Sequence, residues 1–589
     1  MKQILKITFL FFIILPLFIG CTGKAKTKGG RSFFYVWGNI LKGEENREQR
    51  KKIGSFKRSK HIQQTLFDLG DNDYNIKILG TKNYPGGIMT FKDVGSQTGF
   101  AVASGDVNGD GIDDLIIGAP TAEGPLERPR RSGWVYIFFG RKSNSNFGLS
   151  AQNADVSLFG GKSNVGALLG SSLASADVNG DGVDDIIIGA PKANVPFKKK
   201  RSQAGIIFVL FGKKFLSGIK DLSKQADITI YGADERDLSG YALATGDING
   251  DDIADMLIGA PAGDGYKNAS ESAGETYLIY GRKKFPKKID LAKNYNSKIY
   301  GSMANAESRL FKNNLPGRSG FALSSADING DGLDDIIIGS PFSDGLKNKR
   351  RDAGTVSVIF GKKVLPRQIR LPRDADVTIS GAQREDYAGY SLAAGDINGD
   401  GKNDILINAP YGGSETTAEG NKIGRVYGVF GRSEFPKKID LRRRGADLII
   451  KGKYYTMGEM FGGSLFRQNL TGYEGHTLSS GDVNGDGIDD IIIGAPNAVG
   501  LSRYGRDVGE TYIIYGDKSL KGLKNLQREA NITIFGADRG DIAGHALSAG
   551  DINGDGIDDI LIGAPGAVTK SSNRRRKTGK VYVVYGMKE

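Results

Sequence analysis

Seven times along the chain, oxygen-bearing side chains recur at the same short spacing. The last copy reads DINGDGIDDILIGAP over 551–565. Counted from its first aspartate, oxygens stand at positions 1 (Asp551), 3 (Asn553), 5 (Asp555) and 9 (Asp559), with Gly556 at position 6. Oxygens at alternate positions, with glycine at the sharp turn, let a short loop wrap a hard cation. Calcium takes six to eight oxygens at about 2.3–2.6 Å and tolerates irregular geometry. The backbone carbonyl of Ile557 at position 7 and a water complete such a shell. The same set recurs at Asp106, Asn108, Asp110, Ile112 and Asp114, and at Asp177, Asn179, Asp181, Val183 and Asp185. It returns at Asp247, Asn249, Asp251, Ile253 and Asp255, and at Asp327, Asn329, Asp331, Leu333 and Asp335. Asp396, Asn398, Asp400, Lys402 and Asp404 form the fifth copy, and Asp482, Asn484, Asp486, Ile488 and Asp490 the sixth.

Comparing the copies sorts ligands from neighbours. Position 9 is aspartate throughout, whereas position 8 is Ala254 in the third copy and Asn403 in the fifth. Position 9 is therefore expected to be the ligand and position 8 a solvated neighbour. The third copy has Asp252 where the others have the position-6 glycine, which sets that loop apart. An EF-hand is excluded, because it needs a bidentate glutamate at position 12 and a following helix; position 12 here is Ile562, inside a β-type run. Asx-rich turns that bind nothing are the alternative reading, and seven copies with the same four ligand positions argue against it.

The rest of each unit positions the loop. In the third unit GYALATGDI (240–248) precedes it, and MLIGAP (256–261), GETYLIYG (274–281) and NSKIYG (296–301) follow. These are four short β-type segments separated by turn signals. MLIGAP, apolar throughout, suits a strand buried on both faces. Four antiparallel strands repeated seven times predict an all-β fold, a seven-bladed β-propeller. The last unit ends after VYVVYG with three strands, and YNIKILG (74–80) matches the missing fourth, so residues 74–80 are expected to close the ring. Strand alternation then puts the 1–2 and 3–4 connections at one end, with the Asp-rich loops, and the 2–3 and 4–1 connections at the other.

The unit resembles the FG-GAP repeat of the integrin α-chain N-terminal propeller. The resemblance rests on the seven-fold count and the Asp-rich loop before each Gly-Ala-Pro triplet (centred on Ala119, Ala190, Ala260, Ala495 and Ala564), with Ser340 and Asn408 as departures. An aromatic after glycine in the first strand (Phe100, Tyr241, Phe321, Tyr390) fits as well. It covers 74–589 and implies calcium loops between strands 1 and 2, here in all seven blades. No leg region or membrane span follows before Glu589, so a free-standing propeller is expected, without integrin-type heterodimerisation.

Lys2 and Lys6 followed by the apolar run 7–19 read as an export signal over 1–20, too short to span a bilayer. Phe18-Ile19-Gly20-Cys21 resembles the lipobox of bacterial lipoproteins, which implies lipidation of Cys21, an exported chain and a membrane anchor in the cell envelope. Cys21 is the single cysteine, so no intrachain disulfide can staple the fold, and calcium is the expected cross-link. Residues 21–73 read as a basic flexible tether.

Lys and Arg total 80 against 67 Asp and Glu, a net charge of +13, which bears on partners rather than fold. The 2–3 connections are rich in cations: Arg130 and Arg131, Lys199 and Arg201, Arg350 and Arg351, Arg503 and Arg506, Arg575 and Arg576. A ring of these would receive an anionic extracellular ligand, such as an acidic polysaccharide or a protein; no nucleic-acid motif is present. The 3–4 connections are basic too (Lys283, Lys284, Lys287, Lys288), and lysine-rich loops in general are the plainer reading. Catalytic residue types are few. Of three histidines, His476 and His545 stand where other units carry an aromatic, and His61 lies in the tether. A binding or adhesion module is therefore the expected function. The alternative is an envelope glycan hydrolase or lyase, which an acidic pair at the basic end, unclaimed by calcium, would favour.

Overall fold

The apolar run after each Asp-rich loop forms a six-residue strand with every residue buried, from Asp114–Ala119 to Asp559–Ala564. The computed structural model describes residues 65–71, 76–79, 96–123, 132–142, 147–150, 153–161, 166–196, 201–301, 318–345, 349–413, 424–443, 445–452, 478–498, 500, 507–571 and 574–588. Each buried strand is second in an antiparallel meander. In the first blade Ala101–Gly105, Asp114–Ala119, Trp134–Phe138 and Val156–Phe159 pair in that order. Seven such sheets make a seven-bladed β-propeller.

Each sheet also has a fifth strand that the four-strand pattern did not predict. Gly218–Asp221, inside the 3–4 connection of the second blade, crosses to the first and pairs parallel to its fourth strand. Lys288–Asp290, Gln368–Arg370, Lys438–Asp440 and Gly522–Asn525 repeat the move around the ring. Three or four residues carry too little periodicity to be read as strands from sequence.

Ring closure follows the same logic. Ile76–Leu79 pairs antiparallel with Lys580–Val584 and supplies the fourth strand of the seventh blade, as expected for 74–80. Thr65–Asp68 pairs parallel with Ile532–Phe535 and supplies the fifth strand of the sixth blade. The ring therefore begins ahead of residue 74, inside the stretch expected to be tether.

Glycines set how closely blades approach. A Cβ on Gly118, the glycine of the first triplet, would sit 1.9 Å from the Gly170 carbonyl oxygen of the next blade. Gly189 meets Gly240, Gly259 meets Gly320, Gly339 meets Gly389, Gly494 meets Gly544, and Gly563 meets Gly99 across the closure. The second partner is each time the glycine before the first-strand aromatic position, so both glycines are one seam. Near the axis, neighbouring first strands are tied by side chain to carbonyl bonds, as from Ser104 to Ala549 (2.6 Å) and from Ser480 to Ala394 (2.8 Å).

Candidate functional site

Each Asp-rich loop is folded by its first aspartate. The Asp106 carboxylate accepts the amides of Gly109 (2.7 Å), Asp110 (3.0 Å) and Gly111 (2.7 Å). Asp110 accepts the amide of Ile112 at 3.1 Å. The turn needs a left-handed residue at position 6, where Gly111 has φ +81° with open space around it. Asp252 takes that place in the third loop at φ 60° and still donates its amide to Asp247 at 2.8 Å. Aspartate is among the few side chains that adopt this region at modest cost, so the loop keeps its wrap.

Position 9 starts the second strand and is fully buried. Asp114 accepts the amides of Val107 (3.0 Å) and Gly140 (2.9 Å) and the Nδ2 of Asn108 (3.0 Å). Equivalent bonds from the glycine after strand 3 reach Asp185, Asp255, Asp335, Asp404, Asp490 and Asp559. The loop is thereby bolted to the end of its own third strand.

Position 8 overturns its expectation. It is not a solvated neighbour but a latch between blades. Its amide donates to the position-1 carbonyl of the preceding loop in every pair around the ring, as from Asp334 to Asp247 (3.0 Å) and, across the closure, from Asp113 to Asp551 (3.1 Å). Where it is aspartate its carboxylate reaches across as well: Asp334 accepts the amide of Asp247 at 2.9 Å and Asp489 that of Asp396 at 2.9 Å. Burial raises the pKa of Asp334 and Asp489. The copies with Ala254 and Asn403 retain the backbone half of the latch, which needs no particular side chain.

The donor set fits a hard cation. Burial, then repulsion from Asp110 and Asp106, pushes the Asp114 carboxyl up to about 7. Asp559 is pushed to about 8 by burial and by Asp555 and Asp551. A divalent charge would relieve both the burial and the added repulsion at the position-9 carboxyl. The Asn553 Oδ1 is buried without a hydrogen-bond partner. Asp106 uses three of roughly four acceptor positions on its amides, so about one remains. The asparagine nitrogen faces position 9 in six of the seven loops and Asp486 in the remaining one, the sixth; in the first loop half a turn of that amide would remove a donor from Asp114 and bring an oxygen inward. As the loops stand, no three acidic, His or Cys side chains converge as a preformed cluster among the described residues.

The expected basic ring is not free where it is described. Arg201 forms a fork with Asp290 (2.7 and 3.0 Å) and donates to the Gly232 carbonyl. Arg350 does the same with Asp440 (2.8 and 2.6 Å) and the Gly381 carbonyl. Both aspartates end a fifth strand contributed by the next blade, so these arginines staple one blade to the next. In the third blade the polarity reverses: Arg370 ends the fifth strand and stacks on Tyr266, 3.6 Å from the ring centroid. Arg351 pairs with Glu385. Arg130, Arg131, Lys199, Arg503, Arg506 and Cys21 lie outside the described residues. Arg575 and Arg576 lie on the strand Arg574–Lys577, paired with Val568–Ser571, and their side chains are outside them too.

An acidic cluster does exist at the 2–3 and 4–1 end. Asp237 and Glu275 are 2% and 1% exposed. Glu275 accepts from Lys298 and from the Tyr277 hydroxyl, both at 2.7 Å. Burial, then Glu275 and Asp234, pushes the Asp237 carboxyl up to about 8. Both carboxyls are buried, in a polar network with Lys298 and Tyr277. Sequence reasoning missed Asp237, although Gly-Ala-x-x-x-Asp recurs before the third, fifth and seventh blades, ending at the buried Asp237, Asp386 and Asp541. His545 packs its ring 4.8 Å from that of Phe100 and is buried, in line with a packing role. His61 and His476 lie outside the described residues, and no described helix is long and apolar enough to cross a membrane.

Comparison with known proteins agrees with this architecture. A model described as the FG-GAP repeat matches residues 98–127, 169–210, 239–279, 319–359, 388–429, 475–514 and 543–584. The phosphatidylinositol-glycan-specific phospholipase D of Rattus norvegicus is 27% identical over 442 residues, covering 72% of this chain and 46% of that protein. Integrin alpha pat-2 of Caenorhabditis elegans is 28% identical over 327 residues, covering 51% of this chain and 22% of that protein. Integrin alpha-PS2 of Drosophila melanogaster is 30% identical over 342 residues, covering 55% and 21%. The chain thus spans about half the length of the phospholipase relatives and about a fifth of the integrin ones.

Proposed function

We propose that this chain, a member of the FG-GAP repeat family, is a calcium-stabilised binding module exported to the cell envelope, comparable in role to the propeller of integrin α chains. One observation carries the reading: seven loops share the ligand positions 1, 3, 5, 7 and 9, and each loop is wired to its own third strand and to the neighbouring blade. A cation at each loop would hold rigid the turn whose position-1 carbonyl latches the neighbouring blade, in a chain that no disulfide can staple. Similarity to two integrin α chains supports an adhesion-type role. An anionic extracellular ligand, an acidic polysaccharide or an acidic protein, is the partner proposed. With Arg201, Arg350 and Arg351 committed to ion pairs, Arg130, Arg131, Lys199, Arg503, Arg506, Arg575 and Arg576 are the residues proposed to meet it. Anchoring through a lipidated Cys21 belongs to the same proposal.

Calcium titration with thermal unfolding, with and without chelator, tests it. Each site filled at a hundred times its Kd adds about 2.7 kcal/mol to the folded state. Several ions per chain and a large fall in Tm on chelation are expected. An unchanged Tm together with no calcium uptake would sink the reading and leave the loops as turns.

A second reading is hydrolytic, favoured by the phospholipase D named among the relatives. The acid pair Asp237 and Glu275 lends it little support, being buried in a polar network with Lys298.

A further inference from the structure

The exposed large apolar side chains among the described residues are Leu66, Phe215, Ile219, Val364, Leu523 and Met587. All six lie in connections between third and fourth strands, at the end that carries the Asp-rich loops. Phe215 and Ile219 belong to the second blade, Val364 to the fourth and Leu523 to the sixth. Met587 and Leu66 belong to the seventh, whose connection is divided between the two ends of the chain. Single exposed apolar residues are ordinary on any protein surface. Here, among the described residues, they recur at one end of the ring in equivalent connections of several blades.

The positions are equivalent, so the ring's repeat holds them at one level. Phe215 and Val364 each follow Gly-Lys-Lys and precede a buried leucine, Leu216 or Leu365. That leucine anchors the loop, and the residue before it stands 86% or 77% exposed. Ile219, Leu523 and Leu66 are each the second residue of a fifth strand, near its start at the same end. Exposed Lys213, Lys214, Lys362 and Lys363 flank the two most prominent tips. Apolar tips set among lysines are the composition of surfaces that lie in a lipid headgroup region, where the apolar group enters and the ammonium groups meet anionic lipids. The aspartate loops lie inside this border, so calcium bound there would reduce the negative charge it encloses. The chain also enters the ring here, because Thr65 pairs with Ile532, the first residue of a fourth strand.

We propose that this rim docks on an anionic lipid bilayer, seating Phe215 and Val364 at the headgroup boundary and leaving the 2–3 and 4–1 connections facing outward. The inference does not rest on lipidation of Cys21; it draws on the proposed calcium loading for the charge enclosed by the rim, so the vesicle assay is run with calcium present and calcium uptake is measured separately.

The test places a fluorophore on the rim of the full chain. Phe215→Trp is read against the parent chain, with Glu271→Trp, exposed in a 2–3 connection, as the opposite-end control. The probes are vesicles of phosphatidylserine or of phosphatidylcholine, each with brominated acyl chains as quencher. The added emission from residue 215 is expected to shift to the blue and be quenched by phosphatidylserine vesicles, with much less effect from phosphatidylcholine and none at residue 271. Lys213→Glu with Lys214→Glu, in the Phe215→Trp background, should weaken vesicle binding by roughly thirty-fold or more. Vesicle binding with residue 215 unquenched would overturn the proposal and assign adsorption to the N-terminal segment. Quenching at 271 in place of 215 would reverse the orientation and overturn it equally. A response at 215 to soluble polygalacturonate without any lipid quenching would make the rim a polyanion surface and also overturn it.

Discussion

Arg350 separates a staple from a ligand contact, and its replacement by glutamine gives each possibility a different signature. The guanidinium makes two bonds to Asp440, at 2.8 and 2.6 Å, and two more to the Gly381 and Ala382 carbonyls. The two side chains are 13% and 16% exposed, nearer to buried than to surface. Breaking a fully buried pair costs about 3–5 kcal/mol, and an exposed pair is worth about 0–1 kcal/mol. Arg350→Gln should therefore cost about 3 kcal/mol. Unfolding entropy is about 2.1 cal/mol/K per residue, so a ring of roughly 500 residues that melts as one unit would lose about 3 °C in Tm. The sharper assay is a double-mutant cycle by urea unfolding, with Arg350→Gln, Asp440→Asn and both together. A coupling of about 2 kcal/mol is expected, because these residues share one fork across two blades. Coupling below about 0.5 kcal/mol would refute the staple argument. So would a variant of unchanged stability that had lost affinity for an acidic polysaccharide.

Two further perturbations probe the seam and the buried acid. Gly118→Ala places a Cβ 1.9 Å from the Gly170 carbonyl, so two blades must part; a loss of about 4 kcal/mol in urea unfolding is expected. Gly111→Ala, with open space around it but φ +81°, should cost only about 1–2 kcal/mol of left-handed strain, and equal costs at the two sites would contradict the seam. Asp237, raised to about 8, holds its proton in the folded state, so its contribution to stability is fully present below about pH 4 and is lost as pH rises through 8. Asp237→Asn should accordingly gain stability relative to the parent between pH 4 and pH 9. A difference that stays constant across that range would show that Asp237 ionises normally.

The position-8 residues show where reading by comparison of copies breaks down. Variation at Ala254 and Asn403 looked like freedom from constraint, yet the constraint lies on the backbone amide, which every residue except proline supplies. The basic 2–3 connections show the complementary failure. Charge composition identified Arg201 and Arg350 as cations at one end of the ring, but their partners, Asp290 and Asp440, lie about 90 residues away in a strand donated by the next blade. No local pattern links them.

The sequence by itself determined the blade count, the second strands, the closing strand at 76–79 and the fold of the seven loops. All of these depend on interactions within a few residues or on strict repetition, as when Asp551 gathers the amides of Gly554, Asp555 and Gly556. Tertiary structure alone decided the fifth strand of each sheet, the latch from position 8 and the commitment of three arginines. It also decided the burial of Asp237 beside Glu275 and the gathering of exposed apolar tips on one rim. Each of these depends on which segment of one blade meets which segment of the next. That meeting is set by ring closure and glycine-limited packing, which bring together residues with no relation along the chain.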